Sequence, residues 1–138
     1  MLHGRARAIE VWRSHHLSIP VDLQRLVSDL ELEIVLFPFK GRVNEMIVGE
    51  TIGLRPGLPR PWFRWFVAHA VGHYVMHVGS TFELEPWQWV NRARDEWQAE
   101  EFAACLLGGP DGWSYSARRL GIPDEKYLLV QKLTGPGG

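Results

Sequence analysis

The sequence predicts an α+β fold, a small three-stranded antiparallel sheet packed on a helical body. Three observations predict it. Three short runs rich in branched and aromatic residues, "LEIVLFPF", "RVNEMIVG" and "ETIGLRPG", follow one another between residues 32 and 57, and such runs bounded by turn residues read as strands. Their close spacing suggests an antiparallel meander. On either side lie segments with apolar residues at helical spacing. Finally, the 138 residues are 46% apolar with seven tryptophans, which is enough to bury the core of one domain.

The elements follow in order. Residues 4 to 16 form a first helix, with Ala6, Ile9 and Trp12 recurring at helical spacing and charges between them. A second, short helix starts at Pro20, which costs no needed hydrogen bond in a first turn. Val21, Leu23, Leu26, Val27 and Leu30 supply its apolar stripe. The first strand ends near Pro38, and "VGET" at 48 to 51 is the turn between the second and third. "RPGLPRP", with three prolines and a glycine in seven residues, is a loop. A helix from Pro61 to His77 follows, apolar on most sides (Phe63, Phe66, Val67, Val71, Tyr74, Val75), and therefore central. A strong helix runs from Arg92 to Leu107 and stops at "GGP". "SYSARRLGI" holds a short helix, and "PDEKYLLVQKL" a closing one, acidic at its start and with Lys132 in its last turn, as the helix dipole favours. One domain over residues 1–138 is expected, with its core at 5–130 and a fraying tail at 134–138.

Composition narrows the function. The formal charge is -1, from 15 basic and 16 acidic side chains, so no basic footprint for nucleic acid is visible. A lone cysteine, Cys105, permits no intrachain disulfide framework and fits a reducing compartment. No apolar stretch has the length of a signal peptide or a membrane span. A cytoplasmic protein is expected. Cys105, flanked by "AACLL", reads as core and not as a nucleophile.

The chemistry concentrates in "RWFVAHAVGHYVMH", residues 64 to 77. His69 and His73 are four apart, so on a helix they stack on one face and can grip one ion. Six histidines in the chain make such a pair common by chance, and alone it is a weak signal. The helix from Arg92 adds Glu96 and Glu100, also four apart. A carboxylate from there completes the two-histidine, one-glutamate set of thermolysin-type zinc sites. Gly72, mid-helix at a cost of about 1 kcal/mol relative to alanine, implies a close approach by another element; Ala99 and Ala103 are small enough to provide it. His77 reads as a helix-end histidine.

These two segments resemble the ImmA/IrrE family of small zinc metallopeptidases. "RWFVAHAVGHYVMH" is similar to the family stretch that runs through alanine-histidine-glutamate to glycine-histidine. "EWQAEEFAACLLGGP", 96 to 110, is similar to its second stretch, with Glu96, Ala99, Phe102, Ala103, Ala104, Leu106, Leu107 and Pro110 in matching places. The likeness extends over roughly residues 5 to 130. It implies a zincin-like fold, zinc on His69, His73 and Glu96, and Glu100 orienting a ligand histidine. It also implies a protein substrate or partner, such as a helix-turn-helix repressor, and a role in gene regulation.

One position departs from the family. Ala70 stands where the family has the glutamate that takes a proton from zinc-bound water. A methyl group leaves metal binding possible but removes the base, which typically costs 10²- to 10⁴-fold in rate. Three accounts stay open from sequence. The chain is an engineered inactive variant, or a natural member that binds metal without cutting, or a different residue (Glu100, Glu101 or Asp95) supplies the base. The expectation is a peptidase-family domain with impaired or abolished proteolysis. Its alternative is a non-catalytic interaction module, for which Trp87 and Trp89 in "TFELEPWQWV" offer a recognition surface or simply core packing.

Overall fold

The computed structural model describes residues 3–76 and 92–135. The order is α1 (His3–His15), α2 (Leu23–Asp29), β1 (Glu33–Leu36), β2 (Glu45–Val48), β3 (Thr51–Leu54), α3 (Arg60–Met76), α4 (Arg92–Gly108), α5 (Ala117–Leu120) and α6 (Tyr127–Thr134). Short 3-10 turns at Gly112–Ser114 and Asp124–Lys126 precede α5 and α6. A three-stranded sheet thus packs on a helical body, the α+β arrangement that the sequence predicts. His77, Trp87 and Trp89 lie outside the described residues.

The sheet corrects one expectation, because it is mixed and not antiparallel. Its order is β1-β3-β2. β2 and β3 form the expected hairpin around Gly49 and Glu50, with Val48 opposite Thr51 and Glu45 opposite Leu54. β1, however, runs parallel to β3, with Glu33 opposite Thr51 and Leu36 opposite Leu54. The reason lies in the link after β1. It carries the chain past the slot that β3 later fills, so β1 and β2 end on opposite edges. Arg55 fixes this link, donating from Nη2 to the carbonyls of Gly41 at 2.6 Å and Val43 at 2.7 Å, and from Nε to Asn44 Oδ1 at 3.1 Å.

A second correction concerns α2. It does not begin at Pro20. Asp22 is its N-cap, accepting from the Arg25 amide at 3.0 Å, a bond that satisfies one of the orphan amides of a helix start. Ser116 caps α5 in the same way, and Gly121 ends it in the left-handed conformation.

α3 is the central element. It packs against α4, α1, α2 and both strands of the hairpin, which explains its nearly all-round apolar surface; of the apolar residues predicted to line it, Tyr74 departs, lying at the solvent face. The predicted close approach of α4 exists, and the atoms nearest to Gly72 belong to Phe102. A Cβ on Gly72 would lie 3.0 Å from Cδ1 and 3.1 Å from Cβ of Phe102. The ring of Phe102 lies against the backbone of α3 at this point, which fixes the register of α3 on α4. On the other side of α4, Trp12 of α1 donates its indole N–H to the Leu106 carbonyl at 2.7 Å. Cys105 is buried on α4, and burial pushes its thiol up to about 12, consistent with a packing role.

Candidate metal centre

The register of α3 on α4 brings four side chains of those helices together. His69 and His73 lie side by side, their ring centroids 4.9 Å apart, and both are buried. Glu96 reaches across from α4 with both oxygens. Its Oε2 is 3.0 Å from His69 Nε2 and its Oε1 is 2.9 Å from His73 Nε2. The two histidines therefore converge on one carboxylate. The other ring nitrogen of His69, Nδ1, lies 2.9 Å from Glu100 Oε1.

Glu100 is itself held from two sides. The Trp65 indole donates to Oε1 at 2.7 Å and Lys126 donates to Oε2 at 2.7 Å. Lys126 comes from the turn before α6 and sits over the faces of Trp62 and Trp65, 5.9 and 5.4 Å from their centroids. A carboxylate that fixes the tautomer and orientation of a histidine in this way is the usual support of a metal-binding imidazole.

The charges are mutually adjusted. Burial alone would lower the pKa of His69, but its hydrogen bonds with Glu100 and Glu96 and the charge of Glu45 raise it to about 10. Burial alone would raise Glu100; its bonds to His69, Lys126 and Trp65 prevail and hold it at about 2. For Glu96 burial also opposes ionisation, and the two histidines hold it well below the usual carboxylate range.

One member was not foreseen. Glu45 of β2 enters the centre from the sheet side, with Oε1 3.8 Å from His69 Nε2. One donor atom each from Glu45, His69 and His73 lie within 4.8 Å of one another, a cluster that could coordinate a metal ion. The signal was present in "NEMIV". Side chains alternate along a strand, so Glu45 shares a face with Ile47, which is 3% exposed. An acidic residue in phase with a core residue is a buried carboxylate.

The other proposed carboxylates do not reach the centre. Glu101 is buried at the crossing of α4 with α1, where its Cβ would meet a Cβ on Gly4 at 2.7 Å. Asp95 lines a hollow with His3 and Arg7. Ala70 is fully buried beside His69 and carries no group able to move a proton.

The centre opens into a cleft of about 370 Å³ bordered by Val43, Asn44, Glu45, Phe66, His73 and Glu96. A larger hollow of about 640 Å³, between α2 and the start of α3, lies beside Asp22, Arg60 and Phe63. Its guanidinium at Arg64 is committed to the carbonyls of Val21, Leu120 and Gly121.

No protein-family model matches the chain, and no curated protein matches it in sequence. Among the described residues no helix is long and apolar enough to cross a membrane. A Glu/His/His cluster in a mixed α+β fold is consistent with a zinc-binding, protease-like superfamily.

Glu100→Gln should test the support of His69. The amide keeps the shape but loses the charge that faces both His69 and Lys126, and metal affinity is expected to fall about 10- to 100-fold. Titration with a chromophoric zinc competitor measures it.

Proposed function

We propose that this chain is a zinc-binding domain of the ImmA/IrrE metallopeptidase type whose capacity for peptide hydrolysis is impaired or abolished. His69, His73 and Glu96 hold the metal, and Glu100 orients His69. The observation that carries this reading is the convergence of His69 Nε2 and His73 Nε2 on the two oxygens of Glu96, at 3.0 and 2.9 Å. Imidazole nitrogens and carboxylate oxygens are the donors zinc prefers in such sites. In a site with an open coordination position, zinc would acidify a coordinated water and polarise a carbonyl. The protein's own part in hydrolysis would be a carboxylate beside His69 to move the proton, and Ala70 has none.

Ala70 also favours the second reading, a non-catalytic module that keeps the fold and binds a protein. The cleft beside the centre is bordered by the edge strand β2, and an edge strand can take up an extended peptide by main-chain pairing. In either reading the partner is a protein, with a helix-turn-helix repressor as the first candidate, and the compartment is the cytoplasm.

Elemental mass spectrometry of the purified chain and of Ala70→Glu tests the common part. About one zinc per chain in both is the expected result. A protease assay of both forms on candidate repressors then separates a disabled enzyme from a scaffold. No zinc in either form, after purification without chelators and with zinc supplied, overturns the metal reading.

A further inference from the structure

We infer that Glu45 is a fourth protein ligand, so that the metal centre is closed and leaves no coordination position for water. This rests on the metal reading above and adds to it.

The first support is placement. β2 is locked to β3 with Glu45 opposite Leu54 and Ile47 opposite Ile52, and Ile47 is 3% exposed. The strand therefore aims Glu45 inward. The second is an unanswered group. Oε2 of Glu45 is buried and accepts no hydrogen bond from the described residues. A buried carboxylate oxygen without a partner is costly and calls for a compensating cation or donor.

The third is distance. Tetrahedral zinc at bond lengths of about 2.0–2.2 Å separates its donor atoms by about 3.3 Å. Around His69 Nε2 the carboxylates of Glu96 and Glu45 stand at 3.0 and 3.8 Å. Both lie in the range of donors to one ion.

The fourth is the chemistry of the set. Structural zinc sites carry four protein ligands, whereas catalytic ones carry three and keep a position open. His69, His73, Glu96 and Glu45 come from three elements and complete four. Ala70 then follows without a separate cause, since a proton acceptor serves nothing where no water is bound.

Cobalt substitution reads this directly. The Co(II) form of the intact chain should show an intense four-coordinate visible spectrum that azide does not alter. Glu45→Ala should open a position, and its cobalt spectrum should shift on adding azide. Glu45→Gln, close in shape, should weaken zinc about 100-fold in a chelator competition, the loss of one donor of four, with an unchanged urea midpoint in the metal-free form. An azide-dependent shift in the intact chain overturns the inference, and that arm stands even if a variant fails to fold. Wild-type zinc affinity in Glu45→Gln also overturns it, while leaving the three-ligand reading intact. Failure of the intact chain to bind cobalt or zinc removes the metal reading itself and this inference with it.

Discussion

Phe102→Ala is expected to lower the stability of the fold by about 3–5 kcal/mol, the range for truncating a fully buried aromatic ring. Phe102 is 0% exposed. Its ring covers the backbone of α3 at Gly72, and its own amide nitrogen would stand 2.8 Å from a Cβ on Gly4. Three helices therefore meet at this residue. Domains of this size are stable by about 5–15 kcal/mol, so the loss is a large part of the total. It also reaches the metal centre. Gly72 adjoins His73, and Phe102 stands six residues beyond Glu96 on α4. A cavity here relaxes the register that brings His69 and His73 of α3 onto Glu96 of α4. Urea denaturation of the metal-free form should show the lower midpoint, and zinc affinity should fall in parallel. An unchanged midpoint would mean that Phe102 does not set the α3–α4 crossing.

His73→Ala is expected to remove metal binding while leaving the metal-free fold in place. Structural zinc sites bind with apparent free energies of about 10–16 kcal/mol, or roughly 3 kcal/mol per donor when four share it. Losing one donor therefore weakens zinc by at least about 100-fold. In the intact chain zinc should raise the melting temperature, since a ligand at 100 times its Kd stabilises by about 2.7 kcal/mol; in the variant the same zinc should raise it little. Acid should weaken zinc in the intact chain, because the imidazoles must give up protons to bind it. His69 supplies such a proton, being held charged by its carboxylate neighbours up to about pH 10. A zinc-dependent rise of equal size in both proteins would show that the metal sits elsewhere.

The helices and the hairpin were legible in the sequence because their signals are local. The apolar spacing of α3, the stop at "GGP" and the two-residue turn at Gly49 and Glu50 each depend on neighbours a few residues away. The pairing of His69 and His73 with Glu96 and Glu100 was legible for the same reason, since a spacing of four on each helix defines a face. What escaped was decided by the route of the chain. Whether β1 pairs with β2 or with β3 depends on the link that Arg55 fixes, and no local pattern encodes it. Glu45 escaped because a strand residue reveals its burial only through its phase with Ile47, and its partners are on other elements. Pro20 misled because it permits a helix start without forcing one, and Asp22, two residues on, offers the better cap.

The chain of contacts from Lys126 through Glu100 to His69 has a consequence in time. Ribosomes add about 5–20 residues per second, so several seconds separate the emergence of Glu45 from that of Lys126. For about 23 of the 81 residues from Glu45 to Lys126 the nascent chain presents Glu45, His69 and His73 without Glu96 to bridge the histidines, and for about 30 more it lacks Lys126 to steady Glu100. It can grip a metal ion only weakly. On the proposed metal reading, stable capture waits for the C-terminal turn, and a ribosome stalled before residue 96 holds a chain that competes poorly for zinc with any finished site around it.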